Sequence, residues 1–295
     1  MTGAIRIFHF MSLLLGAHMS IGGGLHTALE RGAGIGCTAI QIFTKNSNRW
    51  RAKPLSDEDI RNYERAKAEA RIDHVVTHAS YLINLCSTNS KTAKLAQDAF
   101  VDELTRCEQL GIRSLIFHPG SHTGAGEDEG LRAIAAALDR AHEVTAGFKT
   151  ESTLETTAGQ GTNLGYRFEQ LARIIDMVRE PERVAVCMDT CHLFAAGYPI
   201  HTEEGWEETM NEAEKAFGLS RVIAFHVNDS KKGLGSKIDR HEHIGKGEIG
   251  LTAFRMLMND NRFTAIPKIL ETEKEEDLKD DVVNMNVLRS LLAPA

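Results

Sequence analysis

The chain has 295 residues, 42% hydrophobic and 25% charged, which excludes a disordered or fibrous protein and provides for a full buried core. Its 34 basic and 41 acidic side chains leave a formal charge of -7, which argues against coating nucleic acid with bulk positive charge but leaves room for a local basic groove. With 6 prolines and no Ser/Gly-rich or single-sign tract there is no sign of a flexible linker, and one compact domain is favoured over two.

Residues 1–12 are expected as an N-terminal extension, disordered or leading to an alternative start at Met11, and a poor match to a secretory signal. Residues 13–292 are expected as the single domain. Short apolar runs read as strands at Leu13 to Leu15, Ala39 to Phe43, Val75 to His78, Ser114 to His118, Thr150 to Glu155, Val184 to Asp189, Val222 to His226 and Lys268 to Glu271. Helical spacing follows each of them: Gly24 to Gly34, Ser56 to Ala70, Thr92 to Leu110, Glu127 to Thr145, Tyr166 to Val178, Glu203 to Ala216, Leu251 to Met258 and Glu276 to Leu291. Ser56 reads as a helix N-cap and Gly111 as a left-handed C-cap. Eight such units predict an α/β fold, a single (β/α)8 TIM barrel with its site at the C-terminal strand ends; a doubly wound sheet is the competing architecture. No G-x-G-x-x-G turn follows the first strand.

Seven of the eight strand ends carry an ionisable group: His18, His78, His118, Glu155, Asp189, His226 and Glu271. A barrel gathers them around one site, where clustered carboxylates and imidazoles are relieved most simply by divalent cations. Beyond the strands, His192 lies three residues after Asp189, and Asp239 and His241 lie two apart in a loop, so these three can share an ion. Without His18 this gives nine candidate ligands, enough for three ions with open positions. Nitrogen and oxygen donors suit zinc, with Mn2+ where carboxylates dominate, and a multinuclear site of this kind points to phosphate ester hydrolysis. Five widely spaced cysteines with no CxxC pair argue against a disulfide framework and for a reducing, cytoplasmic compartment. Cys187 and Cys191 are read as buried rather than metal-binding. No apolar run reaches a membrane span, so no membrane partner is expected.

The strings His118-Pro-Gly-Ser-His122, Glu155-Thr-Thr-Ala-Gly-Gln-Gly-Thr-Asn-Leu-Gly165, Asp189-Thr-Cys-His-Leu-Phe-Ala-Ala-Gly-Tyr198 and His226-Val-Asn-Asp-Ser-Lys231 closely resemble the endonuclease IV family of apurinic/apyrimidinic endonucleases. Asp239-Arg-His241, Ile244-Gly-Lys-Gly247 and Ile269-Leu-Glu-Thr272 continue the match in order, so that it runs from about Leu14 to Glu273. The resemblance implies a barrel with three zinc ions. One is held by His78, His118 and Glu155; Glu155 bridges to a second, also held by Asp189, His226 and Glu271; the third is held by His192, Asp239 and His241. It implies Glu155, Asp189 and Glu271 as the catalytic carboxylates, and a hydroxide bridging two ions that attacks the phosphate 5′ to an abasic deoxyribose in duplex DNA. The nick then carries a 3′-hydroxyl. His18 is expected to orient a ligand by a hydrogen bond.

The same resemblance marks Tyr81 as a side chain that enters the duplex, in keeping with the wedges that open base steps. In Lys45-Asn-Ser-Asn-Arg-Trp50 the chain departs from the family: Asn48 stands where members often carry arginine, with Arg49 beside it, so that either Arg49 takes over the wedge or Tyr81 opens the duplex alone. Ala79 and Thr156 stand where some relatives have Asp and Asn, without removing a ligand. Lys231, Lys232, Lys237, Arg240 and Lys246 are expected to meet DNA phosphates, and the protein is expected to act as a monomer. Two rivals stand beside this reading. A sugar isomerase or epimerase on a similar barrel would have no use for the third ligand group, and a metal-stabilised module would bind damaged DNA without cutting it.

Overall fold

The computed structural model describes residues 13–294; the expected extension over residues 1–12, with Met11, lies outside the described residues. Eight parallel strands close into a barrel: β1 (Leu15–His18), β2 (Ala39–Ile42), β3 (His74–His78), β4 (Ser114–Phe117), β5 (Glu151–Glu155), β6 (Val184–Asp189), β7 (Val222–His226) and β8 (Lys268–Leu270). Each pairs with its neighbours in chain order, and β8 returns to β1 with Leu15 opposite Lys268. The TIM-barrel expectation is borne out, and the doubly wound alternative falls.

The outer ring is α1 (Leu25–Gly34), α2 (Asp57–Ala70), α3 (Ser90–Gln109), α4 (Glu127–Val144), α5 (Phe168–Met177), α7 (Glu203–Ala216), α8 (Leu251–Asn259) and α9 (Lys279–Ser290), while the short α6 (Thr190–Ala196) lies at the end of β6. Ser56 and Asp59 form a reciprocal capping box at the start of α2. Gly111 takes φ 63 after α3, a left-handed turn that glycine adopts without a Cβ penalty.

A two-residue alternation explains why a barrel built mainly by apolar packing presents a polar mouth. Leu14, Ala39, Val76, Ile116, Cys187, Ala224 and Ile269 form one buried apolar cluster, distinct from the larger core that packs strands against helices. Side chains two apart on a strand share a face. Two positions beyond six of these residues come Gln41, His78, His118, Asp189, His226 and Glu271. The barrel thus holds an apolar plug beneath a polar layer, and the plug dictates which residues face the mouth.

The first strand ends three residues later than its apolar run suggests, because Gly16 belongs to it. A Cβ at Gly16 would lie 1.8 Å from the Ala39 carbonyl oxygen, so the close approach of β1 and β2 requires glycine there. His118 and Glu271 each stand one residue past a strand end. His192, expected in a loop beyond the strand, lies instead in α6, with Asp189 as its N-cap: Asp189 Oδ1 accepts the His192 backbone N–H at 2.8 Å. Among the described residues no helix is long and apolar enough to cross a membrane, and the cysteines are all free and buried.

Candidate metal centre

Glu155, fully buried at the end of β5, is the hub of the mouth. Its Oε2 lies 3.0 Å from His78 Nε2 and 3.2 Å from His118 Nε2, and its Oε1 lies 2.9 Å from His226 Nδ1 and 3.3 Å from His192 Nδ1. Glu271 Oε2 is 3.2 Å and Asp189 Oδ2 3.9 Å from the same His226 nitrogen. To one side, Asp239 sits between His192 Nε2 at 3.1 Å and His241 Nε2 at 3.3 Å. Donor atoms fall into three close groups: His78, His118 and Glu155; Glu155, Asp189, His226 and Glu271; and His192, Asp239 and His241, all within 4.8 Å inside each group.

Backbone carbonyls fix the protons of these rings. His78 Nδ1 donates to the Ala79 carbonyl at 2.7 Å, His192 Nδ1 to that of Thr156 at 2.8 Å, and His241 Nδ1 to that of Glu271 at 3.2 Å. A carbonyl oxygen can only accept, so in each neutral ring Nε2 carries a lone pair. Those lone pairs face carboxylate oxygens, an arrangement that repels unless a proton or a cation lies between. His192 Nε2 and His241 Nε2 are moreover buried without a hydrogen-bond partner. A nitrogen and oxygen donor set of this kind fits divalent metal. A fourth group joins Asp189, Cys191 and His241; the buried Cys191 thiol there lies 3.7 Å from the Arg240 carbonyl oxygen.

Two neutral amides that sequence reading missed complete the arrangement. Gln41, fully buried on β2, accepts from His226 Nε2 at 2.7 Å and donates to Glu271 Oε1 at 2.5 Å and to His18 Nδ1 at 2.9 Å. The amide turns His226 so that Nδ1 faces the carboxylates. His18 Nδ1 itself stands 3.8 Å from Glu271, so it reaches that group through Gln41. Asn228 donates to Asp189 Oδ2 at 2.7 Å and accepts the Glu271 N–H at 2.8 Å. Thr156, despite its departure from the family pattern, accepts the Asp189 N–H at 2.9 Å. Gln41→Leu is expected to weaken metal binding by about 10- to 100-fold, the usual cost of losing such an orienting partner. Competition against a chromogenic chelator measures it, and unchanged affinity would count against the role of Gln41.

Without metal, the imidazoles must hold protons instead. Burial disfavours the charged ring of His241, but Asp189 and Asp239 outweigh it and raise it to about 9. His192 is likewise raised well above the ordinary range, burial being outweighed by Asp189. A raised folded-state value contributes stability that is complete below the unfolded histidine value of about 6.5 and is lost as pH rises through the folded one. Metal-stripped protein is therefore expected to lose thermal stability between about pH 6.5 and 9, and metal-loaded protein to lose less. Parallel melting curves across that range check it; equal losses would contradict it.

Around the mouth, Tyr81 is 60% exposed, its ring 5.6 Å from Phe43 and 5.2 Å from His78. Asn48 and Arg49 are exposed on the loop after β2. Lys231 and Arg240 are exposed across from one another on the two arms of the hairpin that brings in Asp239 and His241, the Lys231 N–H donating to the Arg240 carbonyl at 2.9 Å; Lys231 Nζ is 3.1 Å from Glu273. A cavity of about 400 Å³ is lined by His78, His118, His192, Asp239, His241 and Glu271 together with Tyr81, Lys231 and Arg240. A second, of about 700 Å³, lies alongside between His18, Glu271, Tyr81 and the loop of Asn48. Lys237 instead places its amine 5.3 Å above the Tyr166 ring.

A family model described as a xylose isomerase-like TIM barrel matches residues 29–291. A probable endonuclease 4 from Geobacter sp. (strain M21) is 48% identical over 279 residues, covering 95% of this chain and 99% of its own length. The crystal structure of endonuclease IV from Thermus thermophilus superposes with a TM-score of 0.83 at 30% identity, covering 94% of this chain and 98% of that one. A D-tagatose 3-epimerase-like protein superposes with a TM-score of 0.73 at 19% identity, covering 94% of this chain and 96% of its own; at that identity the likeness is one of fold. By near-complete coverage at 48% identity, the chain belongs to the endonuclease IV family.

Proposed function

We propose that the protein is a DNA repair endonuclease of base excision repair. It hydrolyses the phosphodiester bond 5′ to abasic sites in duplex DNA, leaving a 3′-hydroxyl and a 5′-deoxyribose phosphate. The observation that carries this reading is the set of imidazoles whose protons are committed to carbonyl oxygens while their lone pairs face carboxylates. Three zinc ions are its proposed cofactors. His78, His118 and Glu155 would hold the first; Glu155, Asp189, His226 and Glu271 the second, where the carboxylates also suit Mn2+; and His192, Asp239 and His241 the third. Divalent ions so held supply positive charge to phosphate oxygens and lower the pKa of water.

The remaining work falls to the protein's own groups. Gln41, Asn228 and the carbonyls of Ala79, Thr156 and Glu271 hold the donor atoms in place, so that little reorganisation is needed when substrate arrives. Tyr81, solvent-exposed beside the cavity, is the proposed wedge into the stack, with Arg49 as its companion and Asn48 beside it. Lys231 and Arg240 would grip the backbone and fix register. A monomer working in the cytoplasm completes the proposal.

The test is incubation with a duplex oligonucleotide carrying one abasic site, with and without chelator. Incision that chelator abolishes supports the proposal. Binding without incision by metal-replete protein would overturn it in favour of a damage-binding module. Proton exchange on a ketose sugar with no incision would instead favour the epimerase reading.

A further inference from the structure

Behind the two loops that flank the mouth lies a buried ion pair that the proposed chemistry does not use. Lys45, 5% exposed just after β2, places Nζ 3.3 Å from Glu103 and 2.9 Å from Asp102, both on α3. The same amine donates to the Trp50 carbonyl at 3.2 Å, closing the loop that carries Asn48 and Arg49. Glu103, 1% exposed, accepts the Ser80 N–H with both oxygens, at 3.2 and 3.3 Å, and so grips the loop that carries Tyr81. Ser80 Oγ then donates to the Ser47 carbonyl at 2.5 Å, joining one loop to the other directly. One turn along α3, Arg106 bonds to Asp102 and to the Lys53 carbonyl at the far end of the first loop.

Stability does not explain such a pair. Taking a lysine and a glutamate out of water carries a large desolvation cost, and a packed apolar pair of similar volume is often neutral or stabilising by comparison. What the charges add is geometry: polar connections from two side chains to backbone groups of separate loops. We propose that Lys45 and Glu103 are positioning residues that hold the two loops in one fixed relation, so that Arg49 and Tyr81 meet an abasic duplex together. This rests on the DNA-cutting reading, since it is DNA that the loops would meet.

The experiment compares wild type, Lys45→Met/Glu103→Leu, Glu103→Gln and Lys45→Arg, all metal-loaded. The apolar double variant should melt lower than wild type, since the Ser80 N–H loses its acceptor, but still fold, and raise KM for abasic duplex about tenfold or more with kcat within about threefold, as expected from misplaced binding elements. Lys45→Arg, which keeps the charge and its hydrogen bonds, should restore most of the affinity. Trypsin cutting after the exposed Arg49 and Arg51 reads loop order without DNA and should quicken about tenfold in the double variant. Should that variant fail to fold, Glu103→Gln, which keeps an acceptor for Ser80, should show both effects in weaker form. Unchanged KM and unchanged cleavage in whichever variant folds would overturn the proposal while leaving the DNA-cutting reading intact. Wild type that cuts no abasic duplex would fail that reading, and unchanged trypsin cleavage in the variant would still overturn the loop coupling separately.

Discussion

Glu155→Gln is expected to cut incision at an abasic site by about 10³-fold or more while leaving the barrel folded. Four histidine nitrogens stand within 3.3 Å of this one carboxylate. Burial alone would disfavour the charged form, yet His226 and His118 outweigh it and hold Glu155 well below the usual carboxylate range. An amide of the same shape keeps the packing but carries no charge and offers one acceptor where the carboxylate offers two. It cannot serve both the His78–His118 side and the His226 side. Both ions proposed to share it should bind more weakly, so metal analysis should find fewer than three equivalents beside the lost rate. Incision within tenfold of wild type, at full metal content, would remove Glu155 from the centre of the mechanism.

Asp239→Ala is expected to act more locally. Asp239 has a side chain 38% exposed and lies on the hairpin, away from the apolar plug, so its loss opens little cavity in the core. It is nevertheless the only carboxylate in the group with His192 and His241, set between their two Nε2 atoms at 3.1 and 3.3 Å. Its removal should release one metal equivalent of the three proposed, lower the melting temperature of the metal-stripped protein where His192 and His241 are charged, and lower incision by about 10²-fold, the scale on which one electrostatic stabiliser contributes. A variant that retained all three equivalents would show that this group does not hold an ion.

The contrast between these two substitutions follows from what the chain makes legible. Ligand-type residues at strand ends could be picked out because an apolar run announces each strand and an ionisable residue closes it, as in Val184 to Asp189. Gln41 escaped because the run Ala39 to Phe43 draws the eye to Phe43 as the end, and a neutral amide carries no titratable signature. Yet the alternation that puts Asp189 two beyond Cys187 puts Gln41 two beyond Ala39, and that period was the available signal. Asn228 escaped for another reason: it lies past its strand, and only the fold brings it against Asp189. The helix at Thr190–Ala196 was hidden by its shortness and by an N-cap that doubles as a proposed ligand. Lys45 and Glu103, 58 positions apart, could not be paired without the closure of α3 against the loop. Local periodicity therefore exposed the residues that point into the mouth, while the partners that aim them depended on tertiary contact.

The most direct measurement is a zinc titration of metal-stripped protein against a duplex with a single abasic site, with the incised strand mapped and its 3′ end extended by a polymerase. Three ion-binding groups predict that incision on the 5′ side, leaving an extendable 3′-hydroxyl, rises steeply and levels off at about three equivalents of zinc. Full activity at one equivalent, or an intact strand at three, would contradict it.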